Sequence, residues 1–306
     1  MPSPRWQNRL EQLRRDNRSG AEEIAGHALH LLSDAIADSV PGSVGPYRKW
    51  LLRTCRQLVS AQPSVGVVFR LVNDMLWAVD NATSAQQIRQ QAIDFLQEYR
   101  GRAELALETL TENAVSYLPK SPVVMTYSRS STVLRILARM AEMKRKPNVL
   151  CGEGRPLLEG QTLASELSWL GIDVTIGIDI ALFSWMSQAD LLLIGADSLS
   201  AAGLVSKIGT TALMHAAAEW DIPRIVVCSS YKFLPNDYVI AQALRPRDPE
   251  EIMPVSSENI VVKNEYHDVT PLEMISTVIT ERGPLRHEEL MEHLAQVRTY
   301  PGLRGK

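Results

Sequence analysis

Apolar positions recur at helical spacing through the first third of the chain and contract into short, bounded runs in the rest. Trp6 to Arg15 carries apolar residues at helical spacing. Ala21 to Ala37 places Ile24, Ala28, Leu31, Leu32 and Ile36 on one stripe, the mark of an amphipathic helix. Pro46 to Ala61, Val65 to Val79 and Thr83 to Leu118 continue the helical pattern, and Ser84 with Gln87 resembles a capping box opening the last of them. Gly and Pro mostly punctuate these segments. The pattern predicts a helical bundle or cap over residues 1–120.

The character changes near Ser121-Pro122. Strands are predicted at Val123–Tyr127, Asn148–Cys151, Asp173–Ile176, Asp190–Ile194 and Arg224–Cys228. Helical patterns stand between them at Ser131–Lys144, Gly160–Leu170, Ile180–Gln188 and Thr210–Trp220. Such alternation implies a parallel sheet with right-handed crossovers. The fold class is therefore α/β: a helical N-terminal domain, then a Rossmann-like doubly wound sheet over residues 121–306. A last strand at Ile260–Val262 and two helices, Pro271–Thr280 and Pro284–Gln296, are predicted to finish the chain. No internal repeat or low-complexity tract is present.

Composition narrows the function classes. The chain has 306 residues, 45% hydrophobic and 22% charged, with a formal net charge of −3. That balance gives no reason to expect direct nucleic-acid binding. The apolar runs are strand-sized, far short of the ~20 residues of a membrane span. The N-terminal residues have charge but no apolar segment of the kind a signal peptide needs. Three cysteines, Cys55, Cys151 and Cys228, lack metal-ligand or disulfide-framework spacing. A cytoplasmic setting and no metal are expected.

Residues just after each strand share one rim of such a sheet. After the first come Ser128, Arg129, Ser130 and Ser131, hydroxyls and a guanidinium at a helix start that suit phosphate; the alternative is an ordinary N-cap with solvated neighbours. After the second come Glu153 and Arg155, the arginine placed to fork onto a phosphate or onto Glu153. Asp179 follows the third strand, where it meets a ligand or caps the next helix. Asp197 follows the fourth, with Lys207 just before a helix, and Lys232 follows the fifth. Cations suit phosphate, while carboxylates suit sugar hydroxyls or proton transfer. The chain has no GxGxxG and no GxxxxGK[ST], so no nucleotide cofactor is expected.

Thr126-Tyr-Ser-Arg-Ser-Ser-Thr-Val133, Glu153-Gly-Arg-Pro156 with Gly160, Asp179-Ile-Ala181, Gly195-Ala-Asp-Ser198, Gly203 with Lys207-Ile-Gly-Thr210, and Asp268-Val-Thr-Pro271 form an ordered set. Together they resemble the superfamily containing the alpha, beta and delta subunits of eukaryotic translation initiation factor 2B, ribose-1,5-bisphosphate isomerase and methylthioribose-1-phosphate isomerase. The resemblance implies a phosphosugar or nucleotide pocket at the strand ends and a homodimer, sometimes assembled further. Met274, Ile275, Leu290 and Met291 stand open as interface or core positions. The family's isomerases interconvert aldose and ketose 1-phosphates with an aspartate, matched by Asp197, and a cysteine, whose position here is Ser128.

That departure separates two readings. A thiol with pKa of about 8.5 can be tuned to move protons near neutrality, whereas an alkanol is a much weaker acid. Cys151, inside a strand, reads as a buried structural thiol. Ser206 also stands where the isomerases usually carry Asn, and His267 is the one histidine beside a family motif. The favoured expectation is a binding protein that holds a phosphorylated sugar or nucleoside monophosphate without turnover. In it Arg129, Ser130, Ser131, Arg155 and Lys207 hold phosphate, and Asp179 and Asp197 meet hydroxyls. The alternative is a sugar 1-phosphate isomerase using Asp197, with Ser128 or a water replacing the thiol. A purely structural subunit is the third reading.

Overall fold

The computed structural model describes residues 4–238, 245–254 and 257–304; Met1 to Ser3, where the reading against a signal peptide begins, lie outside them. Five helices come first: α1 (Pro4–Arg15), α2 (Ala21–Ala37), α3 (Val44–Ala61), α4 (Gly66–Ala78) and α5 (Ala85–Tyr117). The predicted stripe of α2 is buried, with Leu32 and Ile36 fully so, against Leu51, Leu58, Leu71, Met75 and Ile88 of the other helices. Ser84 caps α5 by accepting the Gln87 N–H at 3.2 Å. The Gln87 side chain reaches Thr83 rather than Ser84, accepting from its N–H and hydroxyl. The second half of α5 leaves the helical core. Its Leu110, Ala114 and Val115 pack with Val124, Val149, Leu193 and Ile279 of the sheet.

The sheet strands are β1 (Val123–Thr126), β2 (Asn148–Gly152), β3 (Asp173–Gly177), β4 (Leu191–Gly195), β7 (Arg224–Val227), β9 (Thr277–Thr280) and β10 (Gly283–Leu285). Among the described residues their order is β10-β9-β7-β4-β1-β2-β3, parallel except for the β9–β10 pair. Val124 of β1 faces Val149 on one side and Leu191 on the other. The chain runs outward from β1 through β2 to β3, then returns to place β4 on the far side of β1. Ligands of open α/β sheets bind at such a switch, beyond the strand C-termini. Helices α6 (Ser131–Glu142), α7 (Glu159–Trp169), α8 (Ala181–Trp185), α9 (Thr210–Glu219) and α10 (His287–Ala295) supply the crossovers and the end of the chain.

Three expectations are corrected. Ile260–Val262 is no strand; Val261 is exposed and pairs with no neighbouring strand. Pro271–Thr280 is no helix: after one 3-10 turn at Leu272–Met274 it becomes β9. Thr277-Val-Ile-Thr280 is wholly β-branched and buried, and it lies parallel to β7, where those side chains pack on both faces. The pattern at Pro284–Gln296 is β10 followed by the shorter α10. A second, antiparallel sheet was not predicted: β5 (Ser198–Ser200), β6 (Gly203–Lys207) and β8 (His267–Thr270), in the order β5-β6-β8. Ile275 and Leu290 are core residues, and Met274 and Met291 pack against the same core. Among the described residues, no helix is long and apolar enough to cross a membrane.

Candidate functional site

A cavity of about 620 Å³ opens at the switch, between the C-termini of β1 and β4 and the start of α2. The loop after β1 shapes one wall. Ser128 has φ +64°, a left-handed conformation uncommon for a residue with a Cβ, and its hydroxyl donates to Glu159 Oε1 at 3.1 Å. Ser130 caps α6, accepting the Val133 N–H. That cap lies so close to the end of β4 that a Cβ at Gly195 would stand 2.2 Å from the Ser130 hydroxyl oxygen. Glycine is therefore what lets strand and cap meet.

The second wall comes from the small sheet. Lys207, at the end of β6, is buried and ion-paired to Glu159, the first residue of α7, with the Tyr266 ring 5.7 Å from its ammonium. Ser206 beside it is buried. Asp197 Oδ2 lies 3.4 Å from Nε2 of His267, the cross-strand neighbour of Lys207. The Asp197 carbonyl accepts the Gly66 N–H at 2.9 Å. A Cβ at Gly66 would stand 2.8 Å from the Lys232 carbonyl oxygen, so α4 butts directly against this wall. Lys232 is buried; its ammonium donates to the Ala196 carbonyl at 2.9 Å and pairs with Glu22 at 3.1 Å.

Electrostatics follow from this packing. Burial pulls the Lys232 pKa down, but the Glu22 and Asp197 carboxylates outweigh it, and the net value is raised. Burial lifts the Tyr127 phenol, and the Asp179, Glu159 and Asp268 carboxylates lift it further. Asp268 is raised by burial, against the N–H groups of Thr211 and Gly209 that donate to it. Burial pushes the Cys151 thiol up to about 11 and the Cys228 thiol to about 12. Neither these two nor Cys55 lines the cavity.

Of the ten candidate site residues read from the sequence, seven line this cavity: Ser128, Arg129, Ser130, Ser131, Asp197, Lys207 and Lys232; Ser206 and His267 line it too. Glu153, Arg155 and Asp179 do not. The Asp179 carboxylate accepts the N–H groups of Gly154 and Arg155, at 2.7 and 2.8 Å, so it holds the loop after β2 instead. Arg155 is exposed, without an ion pair to Glu153. Arg129 lines the cavity but is forked onto Glu166 of α7, at 2.8 and 2.7 Å, and reaches Glu23 of α2 at 3.2 Å. The rim reading missed Arg18 and Ser19, in the α1–α2 connection, and Glu159. The exposed Arg18 guanidinium has no ion pair among the described residues. The same residues hold no cluster of three or more potential metal ligands.

This fold agrees with comparison to known proteins. The chain belongs to the initiation factor 2 subunit family, whose model matches residues 17–287. It is 29% identical over 238 residues to a ribose 1,5-bisphosphate isomerase of Archaeoglobus fulgidus, covering 76% of this chain and 74% of that one. It is 27% identical over 278 residues to a putative translation initiation factor eIF-2B subunit 2-like protein of Pyrococcus horikoshii, covering 90% and 94%. A crystal structure described as the P. horikoshii OT3 translation initiation factor eIF-2B superposes with a TM-score of 0.79, covering 95% of this chain and all of that one at 24% identity.

Proposed function

We propose that this chain binds a sugar phosphate or nucleoside monophosphate in the cavity at the β1–β4 switch and does not interconvert aldose and ketose. The observation that carries the reading is Ser128. It occupies the position that the resemblance gives to the isomerases' cysteine, its hydroxyl donates to Glu159, and no thiol lines the cavity. The start of α6, the hydroxyls of Ser130 and Ser131, and Arg18 are available to a phosphate there. Lys207, Lys232 and Arg129 set the local field but are already paired with carboxylates.

A thermal-shift panel of sugar phosphates and nucleoside monophosphates tests binding, since a ligand that binds only the folded state raises the melting temperature. No shift across the panel would count against a phosphate pocket. Ribose 1,5-bisphosphate and methylthioribose 1-phosphate, followed by NMR, test turnover. Ketose formation would establish the second reading, an isomerase. That reading draws on Asp197, which lines the cavity beside His267, and on relatives named ribose 1,5-bisphosphate isomerase; Asp197→Asn would then abolish it.

The resemblance also carries a homodimer. The outer edge of the sheet supports it: β3 ends the strand order, and Ile176, Ile178 and Ile180 on and beyond it are exposed. Light scattering on the purified chain decides between monomer and dimer.

A further inference from the structure

Buried polar atoms are ordinarily hydrogen-bonded, and those that are not ask for an explanation. Among the described residues, two side-chain oxygens on this cavity's wall have no hydrogen-bond partner: Glu159 Oε2 and the hydroxyl of Ser206. The Lys207 ammonium beside them has Glu159 as its ion-pair partner and no well-aligned hydrogen bond. Ser206 and Lys207 are 4% and 7% exposed, so bulk water does not satisfy them. Two unpartnered oxygens, beside an ammonium whose one partner is Glu159, mark a place built to meet something polar.

Glu159 decides what that is. Its Oε1 already accepts from Ser128 and holds Lys207. An ionised carboxylate only accepts, so Oε2 calls for a donor, such as a ligand hydroxyl. An ionised phosphate offers no donor and brings like charge to a partly buried carboxylate, where the lower effective dielectric makes repulsion stronger than in water. Lys207 is the cation a phosphate at this wall would need. Its charge is already balanced by Glu159, so the pair offers a phosphate no net positive charge. The α6 start and Arg18, which also line the cavity, are the groups left to take one phosphate.

Resting on the phosphosugar reading above, we propose that Glu159 makes this a monophosphate site. The end of the ligand away from its phosphate carries free hydroxyls that donate to Glu159, and the same carboxylate turns a sugar bisphosphate away.

The test is calorimetric titration of the full chain with ribose 1-phosphate, ribose 5-phosphate and ribose 1,5-bisphosphate, repeated with Glu159→Gln. The wild-type chain should bind one of the monophosphates at least about tenfold more tightly than the bisphosphate, a difference of about 1.4 kcal/mol. Glu159→Gln keeps an acceptor, removes the charge and frees Lys207, so the bisphosphate should gain about tenfold and the preference shrink or reverse. Wild-type protein that binds the bisphosphate as tightly as either monophosphate overturns the specificity and leaves the phosphosugar site standing. The same holds for an unchanged ratio in the variant. Failure of all three sugars to bind either protein overturns the site reading, and the specificity with it.

Discussion

Ser128 and the three cysteines set what this cavity can do with a proton. A thiol group at residue 128 would line the cavity beside Glu159, whereas Cys55, Cys151 and Cys228 are all buried. With its pKa pushed up to about 11, Cys151 is protonated and unreactive near neutrality. A thiol-reactive chromophore should therefore label none of the three cysteines in the native chain near neutral pH and all three in guanidinium chloride. Ser128→Cys should add one group that labels without denaturant. A wild-type thiol that labels in the native state would contradict the burial. Lys232 makes a second prediction at this scale. Its raised pKa means that its stabilisation is fully present below the unfolded-state value of about 10.4 and is lost as pH rises through the folded value. Below that window Lys232→Met strands Glu22 and should cost about 3 kcal/mol. Adding Glu22→Gln should recover much of it, read by urea unfolding; equal losses in the single and double variants would refute the pairing.

Elements with strong periodicity are the ones whose positions were legible. The α2 stripe and the apolar cores of β1, β2 and β4 each bury what their spacing predicts. The small sheet was not legible, because Ser198–Ser200 and Gly203–Lys207 are too short and too polar to show a period of two. The Thr277–Thr280 strand was read as helix because its apolar positions are too few to separate the two periods; its unbroken β-branching was the better signal. Part of the site was hidden for a different reason. Arg18 and Glu159 reach the cavity only through tertiary folding, from a connection and a helix start far apart in sequence. The unpredicted strand β8 also carries the cap of α9, Asp268, which accepts the N–H groups of Gly209 and Thr211. Its carboxyl pKa is raised, so the folded state binds its proton more readily than the unfolded state. Its contribution to stability therefore improves as pH falls through the folded value and worsens as pH rises. Relative to Asp268→Asn, wild-type stability should climb between neutral pH and about the ordinary carboxyl pKa of 3.9, measured by urea unfolding. A flat or opposite difference would show that the hydrogen bonds to the carboxylate outweigh its burial.

At the scale of the whole molecule the helical and sheet portions share one helix. The first half of α5 packs Ile88, Ala92 and Leu96 into the helical core, and its second half packs Leu110, Ala114 and Val115 against the sheet. The cavity is shared as well: Arg129 ties α2 to α7 through Glu23 and Glu166, and Lys232 ties the loop after β7 to Glu22. Dividing the chain at residue 120 gives a helical domain and a Rossmann-like domain by composition, and we propose that they do not fold independently. A fragment of residues 121–306 would expose the apolar face of the sheet that α5 covers, and each uncovered side chain forfeits about 1.5–3 kcal/mol of burial. That loss, summed over several residues, is comparable to the ~5–15 kcal/mol that holds a typical domain together. The fragment should therefore bind a hydrophobic dye and melt without a cooperative transition, while the full chain should melt in a single step raised by any ligand of the cavity. A sharp, dye-free transition for the fragment would show instead that α5 is a removable cover and that the sheet supplies a sufficient core alone.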